Sequence, residues 1–204
     1  MRLTSLLLFS LFAWGTLDLA TAPTGPVSRA ASNPAAAASY TVDPTHSNVL
    51  WKVKHNNASY FYGRFAKFSG SFTFDEKKPG DCEVLMEVDA ASVDTRTSML
   101  DKHLRSPDFF DAVQFPTLIF ESTDVAKGKG KNMYSVTGRL TVHGVTKPIT
   151  FDLEHTGDGK GRDGPVIGFH TSFTIDRTKF GMNYGLGGIG KKVEIIISVE
   201  ASQD

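Results

Sequence analysis

Tyr134-Ser135-Val136-Thr137-Gly138-Arg139-Leu140-Thr141-Val142 alternates apolar and polar side chains, and Ile149-Thr150-Phe151-Asp152-Leu153-Glu154 does so again after a short gap. Successive Cβ atoms of a strand point to opposite faces of its sheet, so a period of two marks a strand buried on one side. Between the two runs stands His143-Gly144, where glycine can take a positive φ. So short a link favours antiparallel pairing, because parallel strands need crossovers of about a dozen residues or more.

The same rule extends outward in both directions. Val49, Trp51, Val53 and His55 share one face against Asn48, Lys52 and Lys54, with Leu50 as the exception. Phe68, Gly70, Phe72 and Phe74 oppose Ser69, Ser71 and Thr73, and Cys82, Val84, Met86 and Val88 oppose Glu83, Leu85, Glu87 and Asp89. Later, Phe169, Phe173 and Ile175 oppose His170, Ser172, Thr174 and Asp176. The chain closes with Val193, Ile195, Ile197 and Val199 against Glu194, Ser198 and Glu200. Adding residues 117–124, which contain Phe120, predicts roughly eight strands in an all-β chain. Lys78-Pro79-Gly80-Asp81 and Lys127-Gly128-Lys129-Gly130 supply turns, residues 157–164 read as a longer polar loop, and residues 181–190 as a Gly-rich loop. One interval departs from the pattern. Residues 97–106, with Met99, Leu100, His103 and Leu104 at helical spacing, predict a short helix that ends before Pro107, followed by an apolar corner at Phe109 and Phe110.

Eight one-faced strands can bury themselves as a two-sheet sandwich or as a closed barrel, and closure removes exposed edges. An eight-stranded barrel is either filled by its own side chains or holds one small ligand, and periodicity by itself favours the filled reading. The expected interior is Val49, Trp51, Val53, Phe72, Phe74, Val84 and Met86, together with Phe109, Phe120, Phe151, Phe169, Phe173 and Ile195. His55, Asp101, His103 and Arg177 are the polar candidates for holding a head group. Two have a plainer alternative: a satisfied core histidine for His55, and for Arg177 a salt bridge to Asp176 or Asp108; Asp101 and His103, two apart, would point in different directions on a helix.

Composition narrows the field. The chain has 22 basic and 22 acidic residues, so no overall charge draws it to nucleic acid or an anionic membrane. Its inward-facing Phe residues leave no stacking surface for bases. The lone Cys82 cannot form an internal disulfide and reads as a small buried hydrophobe. Six dispersed histidines, at 46, 55, 103, 143, 155 and 170, show no metal-ligand spacing, and no cofactor is expected. Gly185-Leu186-Gly187-Gly188 lacks the strand-to-helix setting of a nucleotide loop. Arg2 followed by the apolar run 3–14 reads as a secretory signal within residues 1–30, an uncleaved anchor being the alternative, and residues 31–39 as a flexible leader to a domain spanning 40–202. The expected location is periplasmic or secreted.

Several motifs together resemble the YceI-like lipid-binding family. They are Tyr40-Thr41-Val42-Asp43-Pro44-Thr45-His46-Ser47, the His55, Ser59, Gly63 and Phe65 spacing, Phe74-Asp75, Val93-Asp94-Thr95, and Asp101 followed by residues 103–111. Phe115-Pro116, Phe120-Glu121-Ser122-Thr123, residues 137–148, and Asp176-Arg177 with Phe180-Gly181-Met182 complete the set, in order, from about Tyr40 to Ala201. The resemblance implies an elongated, lipocalin-like, eight-stranded antiparallel barrel with a hydrophobic tunnel for a polyisoprenoid or fatty amide. By the same resemblance a homodimer is expected; the chain is read as a carrier without catalysis, with a transient membrane or donor/acceptor protein as a further expected partner. Leu100 stands where the family commonly has Arg, and Lys191-Lys192 where it commonly has acidic residues. Two other readings stay open. One is a filled structural or stress-response barrel acting through its surface. The other is a hydrolase using Asp43, His46 and Ser47 or His103.

Overall fold

The computed structural model describes residues 37–204, so the expected signal sequence and residues 31–36 of the expected leader lie outside the described residues. Alternation becomes strand wherever two such stretches can pair, and eleven strands result. They are β1 (Ala38–Val42), β2 (Asn48–His55), β3 (Ser59–Phe65), β4 (Phe68–Phe74), β5 (Val84–Asp89) and β6 (Val93–Asp94). After the helix α1 (Ser98–Leu104) come β7 (Thr117–Lys127), β8 (Met133–Val142), β9 (Val145–Lys160), β10 (Pro165–Asp176) and β11 (Ile189–Gln203). Every pairing is antiparallel.

Strands β4, β5, β7, β8, β9, β10 and β11 pair in that order, and β1 bonds to both β4 and β11. That closes an eight-stranded ring. The strand β11 divides its length: residues 201–203 pair with β1, and Ile189 with Val193–Ser198 pairs with β2. Beyond β2 the wall continues through β3 and the two-residue β6. There α1 and the turn after it take over, with Leu104 and Phe109 packed among Val49, Trp51, Phe65, Val88 and Val93.

Strands β1, β3 and β6 were not among the eight read from the sequence. In β3 the aromatic residues lie on both faces, with Tyr60 and Tyr62 exposed and Phe61 and Phe65 inward, so alternation of polarity is lost. Ala38 and Ser39, read as leader, open β1 and pair with Phe74 and Thr73. The helix sits inside the predicted interval. The first half of the polar loop predicted at 157–164 is instead strand: β9 runs to Lys160 and β10 starts at Pro165, so the turn shrinks to residues 161–164. Glycine and aspartate lower strand propensity there, but the partner residues Val166 and Ile167 carry the ladder onward past a bulge at Gly168.

Two close approaches explain particular residues. His143 and Gly144 both have positive φ, 51° and 70°, which is the two-residue hairpin whose twist matches the flanking strands. Gly63 faces Trp51 across the β2–β3 ladder, and a Cβ there would overlap the indole ring. One ladder stops early: β9 and β10 pair no further than Leu153↔Thr171, and Pro148, which lacks an N–H to donate, lies in the part of β9 that β10 does not reach.

Candidate functional site

In a filled barrel the inward side chains would meet and lose all contact with solvent. Here Leu140, Phe151, Phe173, Ile195 and Ile197 all keep partial access although they point inward. The reason is a cavity of about 450 Å³ that they line. Every residue expected to form the interior stands on it, from Val49, Trp51 and Val53 through Phe72, Phe74, Val84, Met86, Phe109 and Phe120 to Phe151, Phe169, Phe173 and Ile195. The interior is thus hollow where periodicity alone favoured a filled one. Aromatic contacts brace the wall, including a stacked Phe151–Phe173 pair with ring centroids 4.7 Å apart.

One end is shut by Phe74, Tyr134, His155 and Phe169, with Phe74 ring centroids 5.3 Å from Tyr134, 5.3 Å from His155 and 5.1 Å from Phe169. Tyr134 is 1% exposed and takes a hydrogen bond from Lys127 Nζ at 2.9 Å. Sequence reasoning placed Tyr134 on the inward face but gave it no role, and treated His155 only as a dispersed histidine. The signal was present, because His155 continues the inward series 149, 151, 153. Cys82 is buried beside them and burial pushes its thiol up, as suits a small hydrophobe.

The other end holds the polar candidates, and the structure separates them. His55 lines the cavity at the end of β2, exposed, opposite Ile189. Arg177 also lines it and is 3% exposed. It forms no ion pair with Asp176 or Asp108. It donates instead to three carbonyls: Nε to Gly190 at 2.8 Å, one terminal nitrogen to Met182 at 2.8 Å and the other to Ile189 at 3.0 Å. Burial lowers its pKa, opposed by nearby Asp176. Asp101 is not on the cavity; its Oδ1 accepts from the Thr95 N–H at 2.8 Å and the Thr95 hydroxyl at 2.6 Å, tying α1 to the preceding turn. His103 is not on it either, its Nε2 lying 2.8 Å from Asp108 and its ring against Phe109 and Tyr184. Leu100, Ile189 and Met182 complete this end.

Outside the barrel, Asp43, His46 and Glu200 place one ligand atom each within 4.8 Å of one another. Asp43 is already committed, taking the Thr45 N–H on one oxygen and His46 Nδ1 at 2.7 Å on the other. Ser47 is no free nucleophile beside them, since its hydroxyl donates to the Glu200 carbonyl at 3.3 Å and accepts the Glu200 N–H at 3.0 Å. The Asp43 carboxylate raises His46 above 6.5, and the same contact holds Asp43 below its ordinary value. Any stability from the raised histidine is therefore full below the ordinary imidazole value and lost as pH climbs through the folded one. That from the lowered aspartate is present above the ordinary carboxylate range and lost as pH falls through its folded value. An NMR titration of the His46 ring is expected to give a midpoint above 6.5 that falls in Asp43→Asn.

Fold and cavity together define a hollow, lipocalin-type antiparallel barrel with an apolar interior. The chain belongs to the YceI-like family, whose domain model matches residues 40–201. It is 42% identical over 169 residues to a UPF0312 protein of Pseudomonas paraeruginosa, covering 81% of this chain and 87% of that one. A UPF0312 protein of Yersinia pestis is 41% identical over 173 residues, covering 83% and 88%. Among solved structures, BcnA of Burkholderia cenocepacia superposes with a TM-score of 0.73 at 28% identity, over 79% of this chain and 99% of that one. A polyisoprenoid binding domain from Saccharophagus degradans, implicated in plant cell wall breakdown, shares the fold with a TM-score of 0.63 at 16% identity, over 81% and 98%.

Proposed function

We propose that this protein binds a long apolar lipid in its barrel, a polyisoprenoid or fatty amide, and carries or stores it outside the cytoplasm without transforming it. The observation that carries the reading is the apolar cavity of about 450 Å³ inside a closed barrel. Water fills such a space poorly, because each molecule needs two to four polar partners, and an apolar cavity of about 150 Å³ is known to stay dry. A methylene chain gains about 0.8 kcal/mol for each CH₂ moved out of water, before the costs of association, and needs only shape and dryness from its host. The volume falls in the usual range for small-molecule sites, about 300–1,000 Å³. A polyisoprenoid binding domain of the same fold illustrates what such a barrel can enclose. The apolar run at 3–14 supports export. Mass spectrometry of the organic extract of protein purified from its native source tests the reading. A prenyl or fatty-amide species near one per protein is expected. An extract without lipid, from protein that also fails to take up a solubilised prenyl chain, would overturn it.

A further inference from the structure

We propose that the barrel end carrying α1 and residues 182–188 docks on an anionic phospholipid bilayer; this rests on the reading that the cavity holds a lipid. The helix α1 has two kinds of face. Leu100 and Leu104 line the cavity, while Met99 is 81% exposed. Residues four apart on a helix share a face, so Met99 lies beside His103. The His103 ring meets Tyr184 edge-on with centroids 4.9 Å apart, and Tyr184 lies 5.3 Å from Phe109. Tyr184 and Leu186 are 47% and 43% exposed. An exposed apolar strip therefore runs from the helix to the neighbouring loop, next to the cavity residues Leu100 and Ile189.

Lysines without a carboxylate partner gather at this end. Lys102 follows Met99 on the helix, Lys191 and Lys192 open β11, and Lys54 packs against Gly190. Among the described residues no carboxylate lies within ion-pair distance of Lys54, Lys102, Lys179 or Lys191, although Lys192 pairs across the ladder with Asp176. Of the acidic groups here, Asp101 is buried against Thr95, Asp108 is bound to His103 and Glu194 to Lys52, leaving Asp111 and Asp176. The chain as a whole is neutral, so this local excess of lysine belongs to one end rather than to a general basicity.

Exposed methionine, leucine and tyrosine interleaved with lysine suit a phospholipid interface: apolar tips enter the acyl boundary, tyrosine rests at head-group level, and lysines lie along anionic lipid. The cargo gives the contact a purpose, because a prenyl chain crossing water would expose the surface that the barrel buries.

The full chain is loaded with a solubilised fluorescent prenyl analogue and mixed with vesicles of phosphatidylcholine, with or without phosphatidylglycerol. Co-sedimentation and transfer rate are followed against salt. Anionic lipid is expected to raise both by about tenfold, with the gain lost at high salt. Met99→Asp with Leu186→Asp, and separately Lys191→Glu with Lys102→Glu, are expected to remove the gain while leaving detergent-phase loading intact; the N-terminal segment is common to all chains compared. Loading that fails in the unaltered protein would sink the carrier reading itself. Normal loading with vesicle binding indifferent to both variants would overturn the docking alone. So would a change from oligomer to monomer in Leu186→Asp without effect on vesicles, which would make this face a contact between copies.

Discussion

With Ile195 and Ile197 both replaced by phenylalanine, the barrel is expected to fold normally and to retain almost no lipid. Both side chains sit on the inward face of β11 and keep partial access to the cavity, so the larger rings grow into open space. Overpacking a filled core costs roughly 1–3 kcal/mol, but that penalty comes from forcing neighbours aside and is small where there is room. The guest loses that room instead. The two rings together take the place of about six chain carbons; at about 0.8 kcal/mol per CH₂ this is roughly 5 kcal/mol, or more than three decades of affinity. A melt within a few degrees of the parent and an organic extract depleted of lipid are the expected pair of results. Undiminished lipid in the folded variant would mean that the guest is held elsewhere.

Arg177→Met is expected to do the reverse, striking stability first. The guanidinium is the shared donor for the Met182, Ile189 and Gly190 carbonyls, so it pins both ends of the loop that approaches β11. Methionine fills much of the volume and supplies none of the three donors. Leaving buried acceptors unsatisfied costs about 1–3 kcal/mol each, less where the loop can swing out to water. A net loss of about 3–5 kcal/mol is expected, and at about 2–4 °C per kcal/mol for a domain of this size, Tm should drop by roughly 6–20 °C. Arg177→Lys should rescue little, because a single ammonium cannot fork to three separated carbonyls. A shift under about 2 °C in Arg177→Met would show that the loop is held by its other contacts. Because Met182 and Ile189 also border the cavity, the variant should leak cargo more readily at temperatures where it is still folded.

The inward face was readable from sequence because strand geometry leaves a residue only two sides, and a hydrophobic set at every second position reports directly which side is buried. That is why Phe72, Phe151 and Phe173 could be placed without a structure. The same logic failed at β3, where Tyr60 and Tyr62 make the outer face as aromatic as the inner one. It failed again at residues 157–160, where the partner strand rather than local propensity decides the conformation. Hollowness has no sequence signal of its own, since a filled and an empty barrel share one alternation; only the distances across the ring separate them. For the polar candidates, sequence gave chemistry without direction. Asp101 and Arg177 are both buried and charged, yet one is spent on Thr95 and the other on three loop carbonyls, and those partners lie 6 residues away for the first and 5, 12 and 13 away for the second.

The early end of the β9–β10 ladder bears on which guests the barrel can discriminate. Past Leu153↔Thr171 the two strands share no ladder pairs; the Thr171 hydroxyl donates to the Asp152 carbonyl at 2.6 Å, and beyond it the Phe151–Phe173 stack spans the interval with side chains. Parting two stacked rings breaks no backbone bond, whereas opening the wall elsewhere in the ring means unzipping a ladder. On the proposed reading, a cargo longer than the cavity would find this seam, packed by side chains such as Phe173 and Phe180, the least costly place for its surplus tail to leave. A carrier built this way would sort molecules by the thickness and polarity of the portion it encloses rather than by total length, and homologous chains differing by several units at the far end are expected to compete on nearly equal terms.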